Sequence, residues 1–401
     1  MPQLQSPPGK TVDLYRGWWI VLLIALSAAV GQAFGRFSYG VILPAIRDNL
    51  GITNTLAGLI GGANVGAYLL GTLFVAWASN RSSLLNLMRC GLALATLGLL
   101  IASFSRSPLP LAIALSVAGF GGACLWIPAP VLAADAVPPA KRGIAVGLVS
   151  TGIGLGVAFV SLASGTLRSS YGDDAWADVY AIQFAVGFVL FVLVLIYVRH
   201  QQVAATTQQS SGLSALTKMP GWLPILAVYA TFGSMYLLVM GFLTTRLEDD
   251  SLWSSADAAF AFTTMGFAMI LGGPAFILVA QQIGVRATLA GAFGLWPIFV
   301  GVVMTGYSAP TMFACIGLGF LFSAIPTLVT LYVVENTTTK NYGPSFAAAT
   351  LAFGIAQTIA PPIGGYIADY TGAFTLVFLL AGALGLVGLL AALRLPRAAP
   401  R

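Results

Sequence analysis

Charge is scarce in this sequence. Asp, Glu, Lys and Arg make up 7% of its 401 residues, against about a quarter in soluble domains. So little polar surface cannot clothe a water-soluble enzyme or a nucleic-acid binder of this length. Histidine occurs once, at His200, and cysteine three times, at Cys90, Cys124 and Cys315, each inside an apolar run. There is no Cys-x-x-Cys, no disulfide framework and no metal-ligand spacing, and no cofactor is expected. No acid falls in the middle of a long apolar run. A His/Asp/Glu or Ser/His catalytic constellation therefore cannot be assembled there, and a buried acid suited to a cationic drug is missing as well.

What is abundant is apolar: 58% hydrophobic residues and 46 glycines. A helix needs about 20 apolar residues to cross the hydrocarbon core. Twelve runs meet that length, near 17–43, 56–78, 84–104, 109–135, 142–165, 177–199, 221–246, 255–280, 286–306, 309–335, 342–367 and 373–394. The sequence predicts an all-α membrane protein of twelve transmembrane helices. Lys10 and Arg16 before the first run resemble the start of a signal peptide, but the run is long and eleven more follow, so it is read as retained.

The net charge of +6 has a sided explanation. With a cytoplasmic N-terminus, the inner segments hold Lys10, Arg16, Arg81, Arg89, Lys141, Arg142, Arg199, Lys218, Arg286, Lys340, Arg394, Arg397 and Arg401. The outer ones hold only Arg47, Arg106, Arg168 and Arg246. The acids are distributed in reverse, with Asp48, Asp173, Asp174, Asp178, Glu248, Asp249, Asp250, Asp257 and Asp369 outside and Asp13, Asp135 and Glu335 inside. This is the positive-inside pattern, and it places both termini in the cytoplasm of a bacterial inner membrane. Trp18, Trp19, Trp77 and Trp222 fall at the inner interface and Trp176 and Trp253 at the outer one, the positions of an aromatic belt.

The polar stretch 200–220, rich in Gln, Ser and Thr, divides the chain into residues 1–199 and 221–401, six runs each, and reads as a cytoplasmic linker. The halves repeat at an offset near two hundred. Gly143, Gly165 and Gly172 recur as Gly343, Gly365 and Gly372; Asp135 recurs as Glu335; Ile127-Pro128 recurs as Ile325-Pro326. Parallel six-helix halves related by a pseudo-two-fold axis along the membrane normal are transporter architecture.

The opening Arg16-Gly17-Trp18-Trp19-Ile20-Val21, with Gly35-Arg36-Phe37-Ser38-Tyr39-Gly40-Val41 and Leu43-Pro44, is similar to the first helix of the monocarboxylate and oxalate/formate-type branches of the major facilitator superfamily. The whole chain resembles a bacterial member of that superfamily. Its signature between the second and third helices, Asp-Arg-x-Gly-Arg, stands here as Asn80-Arg81-Ser82-Ser83-Leu84, and the antiporter signature of the fifth helix is without its proline, leaving Gly152, Gly154 and Gly156. The resemblance implies the major facilitator fold, two six-helix bundles that rock about a central cavity lined by helices 1, 4, 7 and 10 and flanked by 2, 5, 8 and 11.

One charge belongs to no loop. Arg36 lies about twenty residues into the first run, some 9 Å outward of its centre at ~1.5 Å per residue. Its planar fork suits a substrate carboxylate; alternatively it snorkels to the outer headgroups. The repeat sets Tyr236 opposite it. Other polar or large aromatic residues near the middle of the cavity helices are candidates for substrate contact: Gln32, Tyr39, Asn64, Tyr68, Trp126, Tyr229, Thr264, Ser323, Thr327 and Gln357, with Ser150, Thr151, Ser234, Thr263 and Thr350 behind them. For each, the alternative is a hydroxyl bonded to its own helix or an amide joining two helices. Asp135, Glu335, Arg81 and Arg142 are candidates for an inner gate or for coupling.

These readings converge on a monomeric secondary transporter, by alternating access, of a small monocarboxylate-like anion. Its partners are the lipid bilayer and the small-molecule substrate, no nucleic acid, with a co-transported proton left open. Transport of a neutral or hydrophobic molecule is the alternative. The loops are too short to build a non-transporting receptor.

Overall fold

The computed structural model describes residues 14–199 and 212–396. Lys10, Asp13, His200, Arg397, Arg401 and the first part of the linker lie outside them, as does the side chain of Lys340.

Among the described residues, twelve helices are long and apolar enough to cross a membrane. The first six are span 1 (Tyr15–Leu50), span 2 (Asn54–Ala78), span 3 (Leu84–Phe104), span 4 (Pro108–Asp135), span 5 (Pro139–Tyr171) and span 6 (Asp173–Tyr197). The second six are span 7 (Trp222–Asp250), span 8 (Ser255–Ile283), span 9 (Val285–Met304), span 10 (Ser308–Asn336), span 11 (Ser345–Thr371) and span 12 (Thr375–Leu393). No strand occurs among the described residues. Within the bilayer a backbone must satisfy its own hydrogen bonds, and helices do so without a neighbour.

Local chemistry sets the ends. Thr53, Ser83 and Ser254 accept N-cap hydrogen bonds from Leu56, Asn86 and Asp257, donors that would otherwise be orphaned. Gly172 and Gly372, partners in the repeat, close spans 5 and 11 at φ +83° and +70°, a region that favours glycine. Span 4 breaks after Trp126 and restarts at Ala129, around Pro128, which has no N–H to donate. Span 1 departs furthest from expectation. It runs 36 residues rather than 27, and its middle, Ala29–Phe37, is a π-helix between two α-helical parts.

The two sets of six meet along pseudo-symmetric seams, span 2 on span 11 and span 5 on span 8, with spans 1 and 7 between them. Small residues make the approach possible. A Cβ on Gly58 would stand 2.3 Å from the Pro361 carbonyl oxygen, and one on Gly365 would stand 2.0 Å from that of Asn54. On the other seam Gly154 and Gly266 touch backbone to backbone.

Contact between the halves is concentrated toward the end that carries Arg47, Glu248, Asp249 and Asp369, here called the acid-rich end. There Arg47 of span 1 pairs with Asp249 of span 7, and Arg168 of span 5 makes a fork to Glu248 of span 7 at 2.7 Å on both arms. Asp369 of span 11 accepts from the backbone N–H groups of Asn54 and Thr55, capping span 2 across the seam. At the opposite, basic end residues 141–144 and 146–148 of span 5 are exposed, and Gly143 and Gly147 face open space. The molecule is sealed at one end and parted at the other. Residues 212–220 go with the second half: Leu216 and Met219 are buried, and Tyr332 donates to the Pro220 carbonyl.

Trp176 corrects the belt expected for it. It is 1% exposed and donates to Asn49, so it packs inside the acid-rich end rather than meeting lipid.

Candidate functional site

Span 1 brings Gln32 and Arg36 one above the other within its π segment. Arg36 Nη1 donates to Gln32 Oε1 at 3.1 Å, and Gln32 Nε2 donates to the Tyr68 hydroxyl of span 2 at 3.2 Å. The Tyr68 ring lies under the guanidinium, 4.1 Å from its carbon, a cation–π arrangement. From the second half, Tyr236 of span 7 and Gln357 of span 11 complete the cluster. Arg36 Nη2 donates to Gln357 Oε1 at 2.9 Å and to the Tyr236 hydroxyl at 3.3 Å, and Tyr236 donates to Gln357 Oε1 at 2.6 Å. Five of the residues anticipated from sequence are thus gathered, three from one half and two from the other.

The electrostatics are one-sided. Ion pairs among the described residues lie at the acid-rich end, joining Arg47, Arg168 and Arg246 to nearby acids. Arg36 is in none of them; its hydrogen-bond partners are amide and phenol oxygens. The snorkelling alternative does not describe this side chain. Span 1 continues to Leu50, and Arg36 sits only about 5 Å past the middle of the helix. It turns inward, to both halves, instead of along the helix to the surface. A lone guanidinium held by neutral dipoles in a membrane interior is costly, and such residues mark solute or ion pathways.

Around it stands an aromatic wall. Phe322 meets Phe37 at 5.4 Å and Tyr236 at 5.3 Å, both edge to face, while Phe353 stacks on Tyr229 at 4.5 Å and on Tyr236 at 5.8 Å. On the sealed side a cavity of about 30 Å³ borders Arg36, Tyr39, Asn64 and Pro361, room for a water and little else. Arg36 itself is half-buried.

The remaining candidates are dispersed. Tyr39 donates to the Ala57 carbonyl at 2.9 Å and lines that small cavity. Asn64 spends its amide on the carbonyls of Gly35 and Leu115, tying spans 1, 2 and 4 together. Trp126 is half-buried at the break in span 4, and Tyr229 belongs to the aromatic wall. Thr264 and Thr327 bond back to their own helices, as do Thr151, Thr263 and Thr350. Ser323 accepts from the Gly273 N–H of span 8, Ser234 donates to the Ala356 carbonyl of span 11, and Ser150 is exposed at the basic end. Asp135, Glu335, Arg81 and Arg142 are all exposed, with no ion pair among the described residues; Arg81 lies over the Trp77 ring at 4.2 Å.

Sequence reasoning placed Arg47, Arg168, Glu248, Asp249 and Asp369 on the outer side and paired none of them. A signal was present: the outer side holds bases of the first half, Arg47 and Arg168, and acids of the second, Glu248, Asp249 and Asp369.

A model of the family described as "Uncharacterised MFS-type transporter YbfB" matches residues 28–393. The chain belongs to this family. Human Monocarboxylate transporter 11 is 25% identical over 425 residues, covering 100% of this chain and 86% of that protein. The Synaptic vesicular amine transporter of Mus musculus is 23% identical, covering 80% of this chain and 62% of that one. Among solved structures, a bacterial homolog to the human lysosomal transporter Spinster, inward-facing and unoccupied, superposes with a TM-score of 0.74 at 14% identity, covering 97% of this chain and 96% of that one. That similarity is one of fold. This MFS-type protein is a multi-pass membrane transporter of a small molecule and not an enzyme.

Proposed function

We propose that this MFS-type transporter carries a small monocarboxylate-like anion by alternating access, with Arg36 as the anchor. One observation carries the reading: Arg36 is an intramembrane cation whose hydrogen-bond partners are neutral. A bound carboxylate supplies the missing charge and two acceptors for the planar fork. The aromatic wall suits the apolar part of such an acid. Relatives bear names of both a monocarboxylate and an amine carrier, so family alone does not choose between charges; the absence of any acid from the Arg36 cluster argues against an amine.

In this reading residues 1–199 and 221–401 are the two rocking units, joined by the 200–220 linker, and the protein acts as a monomer in a bacterial inner membrane. The distribution of basic residues supports a cytoplasmic basic end with both termini inside, which makes the present conformation inward-open. A coupled proton would ride on the substrate's own carboxyl group or on an acid at a helix end. A neutral, hydrophobic substrate is the second reading, favoured by the aromatic wall.

Purified protein in liposomes, offered labelled pyruvate, lactate and benzoate beside neutral compounds of similar size, separates the two. Saturable uptake of an acid, reduced about a hundredfold by Arg36→Ala, is the expected result. Equal uptake by Arg36→Ala and the parent sinks the anchor.

A further inference from the structure

One edge of the Arg36 guanidinium is half used. Nη2 donates to Gln357 Oε1 and to Tyr236, while Nε is buried with no acceptor. The N–H groups on Nη2 and Nε run parallel and match the two oxygens of a carboxylate. A single amide oxygen occupies half of that place. It also takes the Tyr236 hydroxyl proton at 2.6 Å, so it uses the two donors that an anion oxygen would use. Gln357 is 1% exposed.

We propose that Gln357 is a place-holder for the substrate: in the empty transporter its carbonyl oxygen stands where one carboxylate oxygen binds, and the arriving anion displaces it. The proposal rests on the anion reading and adds to it what the site selects and what binding does. An amide brings one oxygen and no charge. A carboxylate brings a charge and a second oxygen for the orphaned Nε, and charge-assisted fork pairs outcompete neutral contacts. Alcohols and amides gain neither, so the exchange selects for a carboxylate. Because Arg36 is in span 1 and Gln357 in span 11, the exchange also cuts a hydrogen bond between the halves at the depth of the site. Substrate and inter-half link compete for the same N–H.

The test needs no knowledge of the natural substrate. Full-length protein with Cys90→Ala, spin-labelled at Ser107 and Tyr307, two exposed repeat-related positions at the acid-rich end, is placed in lipid nanodiscs without ligand. Pulsed EPR reads the distance between the halves. Gln357→Leu cuts the link and is expected to raise the ratio of separated to closed conformers about tenfold, the equivalent of one charge-assisted hydrogen bond. Gln357→Glu puts a permanent carboxylate on Arg36, lowers that ratio or leaves only the closed distance, and abolishes uptake of every acid the parent carries. General damage to the fold cannot move the two variants in opposite directions. A Gln357→Leu distribution identical to the parent's overturns the place-holder, as does normal acid uptake by Gln357→Glu. If Gln357→Leu shifts the distribution while the parent carries no acid, the link stands and the anion reading falls. If uptake needs Arg36 but Gln357→Leu leaves the distances alone, the anion reading stands and the place-holder falls.

Discussion

Two of the arginines in the helices of this transporter, Arg168 and Arg36, are held in opposite ways. Arg168, 4% exposed, is gripped by Glu248 across the seam and by Asp173 beside it. Arg36, half-buried and nearer the middle of the membrane, has only Gln32, Gln357 and Tyr236 for acceptors and the Tyr68 face beneath it. The first charge is balanced by the protein's own acids and so fixes an arrangement of helices. The second is solvated by dipoles and keeps its charge for something that arrives. Removing one partner of a buried ion pair strands the other, whereas replacing a charge that has no ionic partner also removes the cost of burying it. Stability and transport should therefore separate cleanly between the two regions.

The largest expected effect is on Glu248. Glu248→Ala strands much of the Arg168 charge and should cost about 3 kcal/mol, visible as a lowered Tm in detergent. Arg36→Leu should stay within about 1 kcal/mol of the parent or exceed it, while acid uptake is lost. Equal stability losses from both variants would collapse the distinction, making Arg36 another clamp. A smaller effect is expected at Asp369. Its carboxylate caps span 2 from span 11, and Asp369→Ala should cost about 1 kcal/mol, the ordinary worth of a cap, by the same thermal measurement. The smallest belongs to the parted end. Asp135→Asn and Glu335→Gln are expected to change stability by less than about 0.5 kcal/mol and to leave uptake under an imposed pH gradient unaltered. Loss of the pH response in either would put proton coupling at that end and sharpen the division of labour.

The twelve spans, the unequal sharing of charge between their two ends and the repeat were legible because they are written in composition and periodicity, which each segment carries by itself. Arg36 was legible because it is a charge in an apolar run, and Tyr236 because the repeat points to it. What escaped depends on what lies across the seam. Asn64 and Gln357 give the same signal, an amide in mid-span, yet Asn64 ties three helices through backbone carbonyls and Gln357 faces the guanidinium. The hydroxyls of Thr264 and Thr327 close on their own helices, a choice the chain makes locally and composition does not record. The acid-rich clamp escaped because Arg168 and Glu248 are eighty residues apart and meet only when the halves do.

The π-helix of span 1 has a consequence for how its two ends are oriented. Each wide turn takes in more residues than an α-turn, and every extra residue advances the azimuth by roughly 100°. The side chains after Phe37 are therefore rotated about the helix axis relative to where an unbroken α-helix would set them. Arg36, which faces Gln357, lies within the wide segment and Arg47, which faces Asp249, lies beyond it, so the offset enters between the two. Tightening of Ala29–Phe37 into α-helix would turn the two arginines relative to each other like the ends of a twisted shaft, so a change of winding at the site would be felt at the seal as torsion.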